Sequence, residues 1–185
     1  MAEYYFVSQL PSLDAVNENM PLPITEERFS ELCKRFLGKK AFSEYEQLKL
    51  FTSRNFDISS SRLINAWNEG ERNLRLALGK VRAERLKKSF DTENNILPAQ
   101  LLKAAQTAAE TENPMEAEKF LNNYRLDFLE TLRPMDTFSE DFVFYYAIKL
   151  KLILHIRQFD TESGKAVYKD IYNSIINGER LEAVQ

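Results

Sequence analysis

Along most of this 185-residue chain, apolar positions recur every three to four residues. That is the period of helices with one buried face. Phe29, Leu32, Cys33 and Phe36 keep this spacing after Thr25, which predicts a helix starting there and ended by Gly38. Ser43 and Glu46 stand as in a capping box and predict a short helix carrying Leu48 and Phe51. The longest periodic run, Arg62 to Lys88, puts Leu63, Trp67, Gly70, Leu74, Leu78 and Val81 on one stripe of a helix about 40 Å long. Pro98 sits where an alanine-rich helix through Ala109 begins, and its small side chains permit close approach of a neighbour. Asn113-Pro114-Met115-Glu116 combines a cap, an N1 proline and a first-turn acid. The helix it opens is expected to bury Phe120, Leu121, Tyr124, Phe128 and Leu132 before Pro134. Thr137 and Glu140 predict another capping box, ahead of a segment apolar almost all round that reads as a central helix. Val167, Tyr168, Ile171, Tyr172 and Ile175 form a last stripe, ended by Gly178.

Tyr4 to Leu10, stopped by Pro11, fits a buried strand or the first turns of a helix, since periodicity does not decide at this length. Pro11 to Pro23 reads as a loop and Asp91 to Leu97 as a linker. The expectation is an all-α fold of six or seven packed helices, one of them long and basic-faced, with a short N-terminal strand as the one open point. Residues 1–185 form a single helical domain, with a subdivision point near 89–97.

Composition narrows the class. A 44% hydrophobic and 29% charged content argues against disorder, and five Gly with six Pro are too few for a turn-rich β fold. The net charge of -3 gives no pull toward nucleic acid, and none is expected as a partner. The lone Cys33 fits a reducing compartment, and no secretory signal opens the chain. Phe142 to Ile156, the most apolar stretch, is broken by Lys149, Lys151 and His155, so no membrane span is predicted. A cytoplasmic protein with at most peripheral contact at the inner membrane face is expected.

The chemistry-bearing residues are sparse. Gly79-Lys80 lies inside a helix without the following hydroxyl of a phosphate-binding loop. His155 and Cys33 are single and fall on different helices, so neither a zinc site nor a nucleophilic triad is assembled. Asp136, Glu140 and Asp141 suit a helix dipole, and nothing in sequence brings a second acid or a base to them. No catalytic, cofactor or metal residues are predicted. An enzyme working with carboxylates alone is the weakest of the readings.

The long helix is the unusual element. From Arg72 to Lys88 it carries seven Lys or Arg and one acid, Glu84. Arg72, Arg75, Lys80, Arg82 and Lys87 fall largely opposite the apolar stripe, and Glu71 has the spacing to pair with Arg75. Such a face is either plainly solvated or a docking surface for an acidic partner. Leu76 and Leu86, lying among the basic residues, favour docking, so Arg72, Arg75, Leu76, Lys80, Arg82 and Leu86 are the candidate partner-binding residues.

Two stretches are distinctive: Tyr4-Tyr5-Phe6-Val7-Ser8-Gln9-Leu10-Pro11-Ser12-Leu13, and Trp67-Asn68-Glu69-Gly70-Glu71-Arg72-Asn73-Leu74-Arg75. Together they resemble an uncharacterised bacterial family whose genes sit among those for V/A-type rotary ATPase subunits. Trp67, Glu71, Asn73 and Arg75 are the positions that match. Gene order in that family implies the place of the helical central-stalk component that caps the membrane rotor. The resemblance therefore implies a non-catalytic subunit or assembly factor, with stalk and rotor subunits as partners. A helical adaptor for some other acidic protein is the alternative.

Overall fold

Thr25 holds an extended conformation, and its hydroxyl accepts the Arg28 N–H, so the chain enters a helix at the next residue. Local signals of this kind set most of the architecture. The structure, a computed structural model, describes residues 2–14, 20–52, 56–90, 96–158, 168–169 and 171–173. Through them run α1 (Ala2–Ser8), α2 (Glu26–Phe36), α3 (Lys39–Gln47), α4 (Arg62–Arg85), α5 (Ala99–Glu110), α6 (Pro114–Thr131) and α7 (Glu140–Arg157). The fold is all-α, with no strand among the described residues.

Tyr4 to Leu10 resolves as helix for most of its length. Phe6 is fully buried and stacks on Phe36 at 5.7 Å, while the Ser8 hydroxyl and the Gln9 amide donate to the Tyr5 carbonyl. Asn113 caps α6 as expected, accepting the Met115 N–H with Pro114 in the first turn. Other boundaries differ. Gly38 does not close α2 but stands as the N-cap residue of α3, so Ser43 lies mid-helix and no Ser43–Glu46 box forms. Ser139, not Thr137, caps α7 by accepting the Phe142 N–H. In both cases packing, not the first available capping residue, sets where the helix begins. The loop residues 15–19, the linker residues 91–95, Val167, Ile175 and Gly178 lie outside the described residues; Tyr168 and Tyr172 are helical, exposed and stacked.

α7 is the central helix. Every residue from Val143 to Leu150 is buried, as are Leu152 and Ile153. Around it α1, α2, α3, the first half of α4 and the end of α6 close one hydrophobic cluster that includes Phe6, Phe29, Tyr45, Trp67 and Leu129. The Trp67 ring is completely buried, and its indole N–H donates to the Leu50 carbonyl at 3.2 Å. Phe128 stacks on it at 6.1 Å, which is possible because residue 70 is glycine: a Cβ there would stand 2.2 Å from the Phe128 ring.

A second cluster lies further along α4. Leu74, Ala77, Leu78 and Val81 pack with Leu101, Ala105 and Ala108 of α5 and Leu121 of α6. The alanines let α4 and α5 approach closely. Phe120, expected inside, is 37% exposed. α6 turns Leu121, Asn122, Arg125 and Leu129 inward, and Phe120 stands about 100° away from Leu121. No helix among the described residues is long and apolar enough to cross a membrane.

Candidate functional site

α4 ends in a Schellman turn. The Lys88 N–H donates to the Ala83 carbonyl and the Lys87 N–H to that of Glu84, while Lys87 takes a left-handed φ of 52°. The chain then doubles back, and the Phe90 ring rests on Gly79, where a Cβ would meet it at 2.5 Å. A guanidinium N–H of Arg85 donates to the Ala109 carbonyl, fastening the end of α4 to the end of α5.

This geometry sorts the predicted docking residues. Arg75, Arg82 and Leu86 are outermost, with Leu86 at 67% exposure, and the helical period places them within an arc of about 40°. Arg72 is half-buried at the edge of that face. Lys80 is half-buried and points roughly 160° away from Arg82, so it belongs to another side. Leu76 is a correction: it is 6% exposed and unavailable to a partner. Leu76 and Ala83 occupy the stripe that has Gly79 at its middle, the stripe on which Phe90 lies, so α4 is covered on two sides rather than one. Arg82 and Arg85 fall in the last turn, where the helix dipole by itself favours cations. Arg75 lies outside that turn, so the dipole does not account for it.

Between the two hydrophobic clusters lies a buried ionic layer that sequence reasoning missed. Glu71 is 2% exposed, and its Oε1 accepts from Arg125 Nε at 2.9 Å rather than pairing with Arg75. The Arg125 Nη1 donates to Asn122 Oδ1 at 2.9 Å and to Glu118 Oε1 at 3.2 Å, and its guanidinium stacks on the Phe51 ring at 4.8 Å. His155 closes the layer, edge-on to Phe51, with Nε2 3.7 Å from Glu118 Oε1. Burial pushes the Glu71 carboxyl above its ordinary range, against the attraction of Arg125. A signal for the layer was present. Glu71 sits about one turn from Trp67 and Leu74, and Asn122 and Arg125 fall between the inward-facing Leu121 and Leu129. Polar residues thus interrupt the inward faces of two helices at facing levels.

A third cluster ties the N-terminal segment down. Lys149, 8% exposed, donates to Asp14 Oδ1 and Glu130 Oε1, both at 2.6 Å, and the Tyr145 hydroxyl donates to Glu130 Oε1 at 2.6 Å. Burial alone lowers the lysine, but these hydrogen bonds outweigh it and hold the ammonium charged. Tyr146 adds a hydrogen bond from its hydroxyl to the Pro11 carbonyl at 2.8 Å. These contacts hold structure together. Cys33 is buried, and among the described residues no group of three His, Cys, Asp or Glu side chains is placed to hold a metal ion.

A family model described as "Protein of unknown function (DUF2764)" matches residues 83–179, just over half of the chain. No curated protein and no solved structure matches.

Proposed function

The chain belongs to the DUF2764 family, and from that premise we propose that it is a non-catalytic subunit or assembly factor of a V/A-type rotary ATPase, docking an acidic partner through the distal half of α4. The observation that carries the docking role is the outward line Arg75–Arg82–Leu86 on a helix fixed at its far end by Arg85 and the Schellman turn. An arginine line with an apolar residue at its end suits an acidic helix with an apolar contact of its own. Arginine keeps its charge at an interface and is weakly hydrated, so little is lost on contact. The ATPase assignment rests on the resemblance carried by residues 4–13 and 67–75; Arg75 belongs to both arguments. Stalk and rotor subunits are then the partners, reached from outside the bilayer.

The test is recovery from native membranes. Tagged full-length protein is expected to bring down stalk and rotor subunits under gentle extraction and to lose them at high salt, because exposed charges are screened within about 3 Å at 1 M. The Arg75→Glu/Arg82→Glu variant should keep its helix content, since exposed charges contribute only about 0–1 kcal/mol each, and lose the partner. Recovery of some other acidic protein in stoichiometric amount, with no ATPase subunit, would replace this reading with that of a general helical adaptor.

A further inference from the structure

A cleft of about 470 Å³ opens between the end of α3 and the first half of α4, with Thr52 and Phe56 on its third side. That volume is in the range of small-molecule sites. Leu48 and Ile64, both buried, form its apolar walls. Asn68 of α4 lines it as well, and although this residue is only 7% exposed its carboxamide makes no hydrogen bond among the described residues. The Thr52 hydroxyl in the same wall is buried and has no partner among them either. Buried polar side chains are nearly always hydrogen-bonded, and asparagine is a poor choice for a helix interior on propensity alone. Two such groups beside one cleft are a cost to the isolated chain that a ligand would relieve.

We propose that this cleft binds an uncharged, planar small molecule with an amide-type edge, an N–H donor beside a carbonyl or ring-nitrogen acceptor, as on a nucleobase or a primary carboxamide. The Asn68 carboxamide offers one acceptor and one donor in a plane, the complement of that edge, and such pairs form two hydrogen bonds at once. Leu48, Ile64 and Phe56 take the faces of the ring. Charge at the rim excludes a phosphorylated ligand. Glu44 is already engaged by the Ser59 hydroxyl at 2.9 Å and the Ser60 N–H at 3.2 Å, and Lys49 and Asp57 are single and of opposite sign. No cluster of cations among the lining residues gathers a phosphate there. The site is independent of the docking face on α4.

The experiment is a nitrogen-15 NMR titration of the full chain with adenosine, uracil and nicotinamide, with toluene as a probe of similar flatness that lacks the edge. At least one of the three is expected to give saturable shifts of the Asn68 side-chain NH₂ pair and to raise Tm, with toluene silent at that pair. Asn68→Leu should fold with unchanged helix content and a Tm as high or higher without ligand, since it removes the unpartnered amide, and should bind about tenfold more weakly or worse. The proposal is overturned if none of the three saturates the site up to about 10 mM, which would leave the cleft to water. It is equally overturned if Asn68→Leu binds as the parent does, if toluene binds as well, or if only a glutamine-bearing peptide fills the site.

Discussion

The two hydrophobic clusters share α4 yet are built from different materials. Around α7 the fully buried side chains include Trp67, Phe6, Phe29 and Phe144, and ring contacts such as Phe29–Tyr146 at 5.2 Å run through it. The distal cluster has no aromatic side chain that is buried outright, and Ala77, Ala105 and Ala108 are three of its eight buried members. Small residues bring helices close but remove less apolar area from water, so this half is held more weakly. The outward arginine line lies on that weaker half. A partner at Arg75 and Arg82 therefore meets the end of the molecule whose local opening costs least.

The largest effect expected is from Trp67→Ala, about 3–5 kcal/mol in denaturant unfolding, because a buried aromatic and its hydrogen bond to Leu50 are lost together. A variant that melts like the parent would show that the α7 cluster does not dominate stability. Next is Arg125→Met, at about 3 kcal/mol at neutral pH, since it strands Glu71 inside the protein. The sign with pH follows from the carboxyl. Its folded value is raised above 4.5 by burial, so its contribution is fully present below the ordinary range and is lost as pH rises. Removing Arg125 raises it further, so the penalty should be smallest in acid and grow as pH climbs past that range. The Lys149 cluster behaves oppositely. Asp14 is lowered by its hydrogen bond from Lys149; Glu130 is raised by burial but lowered more by Lys149 and Tyr145, so their support fades as pH falls. A pH series on both Arg125→Met and the parent separates the two.

Leu74→Ala tests whether the clusters are energetically distinct. The expected loss is about 2–3 kcal/mol, with hydrogen-exchange protection falling in α5 before it falls in α7. Equal loss in both helices would make the molecule one cooperative unit. The smallest effect is a gain: Lys87→Gly, at the left-handed position of the Schellman turn, should stabilise by about 0.5–1 kcal/mol in the same denaturant assay.

How far these differences were legible in the sequence depends on the range of the interactions. The stripe Leu63, Trp67, Leu74, Leu78 and Val81 and the Asn113-Pro114 start are local patterns, and both stand in the structure. The caps at Ser43 and Thr137 failed because several residues competed for one role, and the winner depended on where packing began each helix. Leu76 was misplaced because one periodic stripe was assumed where the returning chain at Phe90 supplies a second cover. Glu71 looked like a surface partner of Arg75 because i and i+4 are visible in sequence, whereas Arg125 is 54 residues away. The orphaned amide of Asn68 is invisible without knowing what surrounds it.

The one cysteine turns the division into something measurable. Cys33 is completely enclosed, and burial pushes its thiol up to about 12, so in the folded protein it is chemically silent. Alkylation reagents then react only when the α7 side opens, which makes the native thiol a clock for unfolding of that half. A second cysteine placed on the solvent side of α5 carries a dye without competition from the first. The protein thus arrives with one label-free background and one internal timer, and the order in which its two halves come apart can be read on a single chain.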